Sequence, residues 1–175
     1  MGNTTLANVE RFYQDNTYAG RTLIAGGTLE LTDFGRLSGT SAIDVNQGVL
    51  NIYNTSANNG RANLTDRVPD ATPINLSGGA LFLAGRAQSG TTETLGAVTL
   101  VRGNSNLNMS AGGTGVNTTD FTITNIVQGS IDATTNVQLA GGQVGSGTRL
   151  FFGNGTALMS NNILPVWIES AAASS

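Results

Sequence analysis

The sequence predicts an all-β protein, a β-solenoid (parallel β-helix) in which short strands stack in parallel from one coil to the next. Pairs of short strands joined by a glycine-containing turn recur along the 175 residues. Within each strand, apolar residues alternate with polar ones, as in strands that bury one face. Helices have almost no support, because only 6–12 could form a short helical turn, which would cover the end of the stack.

The repeated unit is clearest in the first half of the chain. Three copies have two strands each: 22–24 with 27–31, 42–45 with 48–52, and 74–76 with 79–83. In each copy a structural glycine, Gly27, Gly48 or Gly79, stands at the turn where the second strand starts. These glycines mark a fixed point of the repeat.

Later copies match the pattern less closely. They are predicted at 98–100 with 106–109, 126–129 with 130–133, and 137–139 with 150–152. About six units at a spacing of roughly 20 to 30 residues fall in the range of stacked repeats. We therefore expect about six to seven coils, each adding about 4.8 Å along the axis.

Two architectures could bury such half-apolar strands: an antiparallel sandwich of hairpins, or a parallel stack of coils. Leu29 and Leu31 face inward in either case, and Glu30 faces outward. Tight hairpins favour Asn-Gly or Asp-Gly at the centre of the turn. A glycine at one fixed place in every repeat is better suited to the corner of a coil, where no side chain fits.

Composition excludes several classes of protein. Hydrophobic residues make up 39% of the chain, the net charge is −3 and there are 3 prolines, so the composition does not favour disorder. All 8 basic residues are arginines spread singly along the chain, which gives no basic patch for nucleic acid. Cys and His are both absent, which excludes disulfides, thiolate or imidazole metal sites and a His-based catalytic triad. We expect no cofactor and no metal.

The chain is predicted to be one solenoid segment, 1–175. Within it we expect an N-terminal cap at 1–15, a loop insertion at 54–73 and a C-terminal tail at 165–175. No segment approaches the roughly 20 apolar residues of a membrane-spanning helix, so we expect no membrane insertion. No signal peptide is recognisable, so any targeting segment would lie outside these residues.

The insertion at 54–73 contains the best candidate site. Arg61, Asp66, Arg67 and Asp70 place carboxylates and cations on a loop over a rigid scaffold. Clustered carboxylates with a cation are what β-helical carbohydrate enzymes and glycan-binding surfaces use. The competing interpretation, which we favour, is a solvated loop whose aspartates cap turns beside prolines.

Other polar residues have structural interpretations. Outward-facing Glu30, Asp44 and Asp132 could line up along one face, although solvated strand positions explain them as well. Corner asparagines could form coil-to-coil amide ladders or simply favour turns. These asparagines are Asn46, Asn75 and Asn136. Trp167 is expected to close the core at the C-terminal end.

Residues 16–31, Asn-Thr-Tyr-Ala-Gly-Arg-Thr-Leu-Ile-Ala-Gly-Gly-Thr-Leu-Glu-Leu, resemble the passenger-associated transport repeat of bacterial autotransporters. The resemblance implies a right-handed parallel β-helix that is exported and displayed on the bacterial cell surface. Ala19 and Arg21 depart from the usual repeat, but both lie outside its apolar positions. The handedness and the extracellular location rest on this resemblance.

The expected function is mechanical. Open solenoid ends expose unpaired strand edges, so such segments are expected to join end to end into filaments or with neighbouring solenoid segments. The chain would then be a structural segment of an extracellular bacterial surface fibre and not an enzyme. An adhesive module that binds a surface glycan through the 54–73 loop is the alternative, and a carbohydrate-active enzyme is a third hypothesis.

Overall fold

The computed structural model describes residues 3–4, 9–55, 62–112, 118–140, 147–160 and 164–170. These residues form a β-solenoid with two sheets of seven strands each. Every pairing between the described strands is parallel. The predicted parallel stack is therefore confirmed, and the antiparallel sandwich is excluded for this part of the chain.

The chain alternates between the two sheets. The first sheet contains Asn3–Thr4 (β1), Arg21–Ala25 (β3), Ala42–Asn46 (β5), Ile74–Ser77 (β7), Gly90–Arg102 (β9), Thr118–Gln128 (β11) and Thr148–Phe152 (β13). The second contains Val9–Phe12 (β2), Thr28–Leu31 (β4), Val49–Tyr53 (β6), Ala80–Ala84 (β8), Asn104–Ser110 (β10), Thr134–Ala140 (β12) and Ile168–Ser170 (β14). A short helix, Gly155–Leu158 (α1), follows β13.

The core consists of apolar columns that run from coil to coil. In the second sheet the strand register stacks leucines directly on one another: Leu29, Leu50, Leu81 and Leu107. The first sheet contributes a matching column of branched side chains: Ile43, Ile74, Val98 and Ile126. All eight side chains are buried. Since full burial of one such side chain stabilises a fold by about 1.5 to 3 kcal/mol, these columns account for the alternating pattern in the sequence.

The three structural glycines lie at the corner between the two sheets. Gly27 has a φ of 63°, a backbone conformation that residues other than glycine rarely adopt. Gly48 and Gly79 are restricted by space instead, because a Cβ on Gly79 would lie 2.6 Å from Cγ1 of Val45. The backbone ladder continues through the corner, where the N–H of Val49 donates to the carbonyl of Gly27 at 2.9 Å.

The third side of the solenoid leads from the second sheet back to the first. It has little regular structure in the early coils, whereas β9 and β11 extend into it and reach 13 and 11 residues. The insertion at 54–73 belongs to this side. Its Val68 is fully buried in the core, so this insertion is part of the coil.

The two ends differ from the expected cap and tail. The helical turn expected at 6–12 is wrong for Val9–Phe12, which pairs with β4 as a strand; residues 5–8 lie outside the described part. At the other end Trp167 and Ile168 pack against the core together with Leu158 of α1. Trp167 therefore closes the core, as predicted, and of the expected tail residues 171–175 lie outside the described part.

The last two predicted repeats are out of phase with the structure. Residues 130–133, expected as a strand, form a turn in which Ile131 is 95% exposed. The second strand of that coil is β12, so 137–139 lie in the second sheet and 150–152 in the first. Because the prediction missed the turn at 130–133, it assigned 137–139 and 150–152 each to the wrong sheet.

Candidate functional site

The most extensive polar network lies beneath the insertion, where Arg67 is fully buried. Its guanidinium donates to the carbonyl oxygens of Gly35 at 2.7 Å and Asp33 at 3.0 Å, and its Nε donates to Oδ1 of Asn54 at 2.9 Å. A further bond from Nη2 reaches the carbonyl of Ala62 at 3.3 Å. A buried cation is tolerated only when its donors are satisfied in this way.

Glu93 and Asn54 complete the network. Oε1 of Glu93, which is also buried, accepts the backbone N–H groups of Arg67 at 3.0 Å and Val68 at 3.1 Å. Asn54 bonds the backbone of Leu64 twice, since its Nδ2 donates to the carbonyl at 3.0 Å and its Oδ1 accepts the N–H at 3.0 Å. Asn54, Arg67 and Glu93, hereafter the buried clamp, connect the insertion to the coils before and after it.

Burial dominates the electrostatics of the clamp. Removal from water raises the pKa of Glu93 to about 8, although the N–H groups of Val68 and Arg67 and the Arg67 charge all act to lower it. The same loss of hydration lowers the pKa of Arg67 to about 10, against the attraction of Glu93. The pair therefore resists full ionisation, which is typical of a structural site as well as of a catalytic one.

The structure does not gather the four predicted site residues on one surface. Asp66 and Asp70 are exposed, whereas Arg67 points inward and its donors are used by the chain itself. The expectation that Arg67 faces a ligand is wrong, because its hydrogen bonds hold the loop down. Arg61 lies outside the described residues.

Sequence reasoning missed Glu93 and Asn54. The sequence did contain a signal for Glu93, because residues two apart along a strand share a face. Glu93 lies two residues from both Thr91 and Leu95, whose side chains point inward. Nothing in the sequence distinguishes Asn54 from the many other asparagines. Apart from Ala62, the partners of Arg67 lie 13 to 34 residues from it along the chain, so the network emerges only when coils stack.

Polar ladders also cross the outer face of the first sheet. Asp44 accepts Nε of Arg21 at 2.8 Å and Nδ2 of Asn75 at 2.7 Å, which connects three successive coils. Partial burial acts to raise the pKa of Asp44, but the hydrogen bonds from Arg21 and Asn75 outweigh it and hold the value below its usual range. Further along, Arg149 pairs with Asp120 at 2.7 Å.

A second outer ladder crosses the other sheet. Glu30 accepts Nε of Arg11 at 2.8 Å and Nδ2 of Asn51 at 3.0 Å. Glu30 and Asp44 therefore lie on different sheets and do not line up along one face. Asparagine amides also join coils, since Asn136 donates to Oδ1 of Asn104 at 3.1 Å.

The described residues contain no group of three acidic side chains placed to hold a metal ion. In the same part of the chain, no helix is long and apolar enough to cross a membrane. No protein family, curated protein or solved structure shows significant similarity to this chain.

Proposed function

We propose that the chain is a structural segment of an extracellular bacterial surface fibre, built as a right-handed parallel β-helix. The observation that carries the proposal is the uninterrupted parallel stack, in which each sheet has seven strands. At about 4.8 Å per strand such a stack extends for roughly 30 Å. The handedness and the surface location follow from the resemblance of residues 16–31 to autotransporter passenger repeats.

The distribution of charge supports a mechanical role. The network under the insertion and the ladders on both sheets include hydrogen bonds between groups 13 to 34 residues apart in the sequence. Their hydrogen bonds join successive coils, so they resist separation of the coils along the axis. Charged groups engaged in this way are less available to bind or transform a substrate, and we propose no catalytic activity.

We further propose that neighbouring solenoids attach at the ends of the stack. Among the described strands, β13 is the last of the first sheet and β2 the first of the second, and each has a partner on one side alone. The other side of such a strand presents backbone N–H and carbonyl groups that can pair with another chain. End-to-end pairing would lengthen the rod without changing its cross-section.

Electron microscopy of the purified protein over a range of concentrations tests the assembly. We expect filaments whose width is that of one solenoid and whose axial repeat is one subunit. Short rods at every concentration would refute the attachment at the ends and leave the proposal of a structural fibre segment unaffected.

Immunogold labelling of the producing cells tests the location. Label on the outer surface is expected, and label confined to the cytoplasm would refute the fibre proposal.

An adhesive loop at 54–73 has less support. Among the predicted site residues that the structure describes, Asp66 and Asp70 are exposed, whereas Arg67 is buried and does not face the surface with them. The same observation weakens the hypothesis of a carbohydrate-active enzyme that uses these residues. Any glycan binding has to be sought on another surface.

A further inference from the structure

Two tyrosines lie near each other at the N-terminal end of the second sheet. Tyr13 directly follows Phe12 and Tyr53 directly follows Ile52, and these two residues pair with Leu31 from opposite sides. Two strand spacings, roughly 10 Å, therefore separate the two tyrosine positions. Tyr13 is 45% exposed and Tyr53 is partly exposed, so both rings are accessible at the surface.

The polar ladder of Arg11, Glu30 and Asn51 lies two residues before the tyrosine positions, and residues two apart along a strand share a face, so it lies on the same outward side. The Glu30 side chain is only 6% exposed, whereas that of Arg11 is 35% exposed. Glu30 binds Nε of Arg11, so the outer Nη groups of this guanidinium, which has five N–H donors, can face a ligand. Tyr13 and Tyr53 are both close enough to act electrostatically on Arg11, whose raised pKa is due chiefly to its hydrogen bond with Glu30.

We propose that Tyr13, Tyr53 and the Arg11–Glu30–Asn51 ladder form a binding face for a neutral oligosaccharide, hereafter the tyrosine face. Sugar rings present C–H faces that pack on aromatic rings, and their hydroxyls pair with fixed polar groups beside the rings. Arginine and glutamate balance each other in charge, which favours a neutral ligand over an acidic one. A disaccharide unit of an extended chain is about as long as two strand spacings, so alternate sugars can meet the two rings.

The geometry assigns each residue a distinct part. The tyrosines supply contact area on rigid side chains with few rotatable bonds, which keeps the entropy cost of binding small. Glu30 is a positioning residue, because both of its oxygens are used to hold Arg11 and Asn51 in place. Arg11 supplies hydrogen-bond donors to the ligand. Arg11 lies in β2, whose free edge is proposed to pair with a neighbouring solenoid, but the tyrosine face uses side chains on the outer side of the sheet whereas that pairing uses backbone groups at its edge. Failure of oligosaccharide binding would therefore leave the fibre proposal unaffected.

Calorimetric titration with a panel of neutral hexasaccharides tests the proposal: β-1,4-linked glucose, N-acetylglucosamine and mannose, and β-1,3-linked glucose. Hexagalacturonate represents acidic chains. We expect saturable binding of at least one neutral chain, with an affinity that changes little with salt. Failure of every neutral chain to bind at millimolar concentration, or binding of hexagalacturonate alone, would overturn it.

Substitutions of the two tyrosines test whether the oligosaccharide binds at the tyrosine face. Replacing both tyrosines by alanine is expected to weaken affinity by at least about tenfold, whereas Tyr→Phe changes at both positions keep the rings and most of the affinity. Phe151→Ala is the matched control, because Phe151 is 46% exposed on the first sheet. Circular dichroism checks that every variant is folded. Equal affinity for the double alanine variant and the wild type, or an equal loss in Phe151→Ala, would refute the tyrosine face.

Discussion

At the scale of single residues, the buried clamp shows how a solenoid fixes an irregular side. Arg67 reaches back to the carbonyl groups of Asp33 and Gly35, and its own backbone N–H reaches forward to Glu93. Removing one member would leave buried hydrogen-bonding groups of the others without partners, at a cost of about 1 to 3 kcal/mol for each such group. The clamp is therefore a structural element of the coil, although the sequence had placed Arg67 in a candidate binding site.

The clamp predicts an unusual dependence of stability on pH. The pKa of Glu93 is raised from 4.5 to about 8 by burial, so between these values the folded chain holds a proton that the unfolded chain releases. The free energy of unfolding should consequently fall as the pH rises through this window, by at most about 1.4 kcal/mol per pH unit. Because the chain has no His and no Cys, few other side chains titrate there.

Urea unfolding of the wild type and Glu93→Gln between pH of about 5 and about 8 measures this dependence. The variant keeps an oxygen that can accept the N–H groups of Arg67 and Val68, but it cannot titrate. Its stability should hardly change across the window, while that of the wild type declines. Asp70→Asn, on the exposed part of the same loop and not among the charges that shift the pKa of Glu93, should behave as the wild type; parallel curves for Glu93→Gln and the wild type would contradict the prediction.

At the scale of elements, the corner glycines set where one strand ends and the next begins. Gly79→Ala would place a Cβ 2.6 Å from Cγ1 of Val45 and 3.0 Å from the carbonyl oxygen of Gly48. Such crowding typically costs about 1 to 3 kcal/mol. We expect the variant to unfold at a lower denaturant concentration with an unchanged slope. Gly20→Ala is the control, since nothing lies within 4 Å of the added carbon, and equal losses at both positions would refute the steric explanation.

How well the sequence predicted the strands also depended on these corners. In the first three repeats the predicted strands agree with the structure to within one residue at either end, for example 22–24 against Arg21–Ala25. In later coils Ser105 and Thr135 pair at the corner of the second sheet, so the glycine signal is lost there. The network of Arg67 and Glu93 could not be predicted either, because it depends on which coils become neighbours.

At the scale of the whole molecule, the two ends of the stack are unequal. The C-terminal end is covered by apolar side chains of Leu158, Trp167 and Ile168. At the N-terminal end, the register places Glu10 in the inward column of the second sheet, opposite Leu29. An inward-pointing charge on an edge strand is a known means of opposing edge-to-edge pairing. We therefore expect the N-terminal end to oppose the end-to-end joining proposed above.

Replacing this charge should promote assembly. Glu10→Val extends the column of Leu29 and Leu50 to the end of the stack, so a neighbouring solenoid no longer has to bury a carboxylate. Filaments should then form at a lower protein concentration than for the wild type, as measured by light scattering and electron microscopy. Glu169→Val removes the same charge from the exposed side chain opposite Asn136 in β14 and should leave the concentration unchanged. If both variants shift assembly equally, net charge and not the inward position of Glu10 controls it.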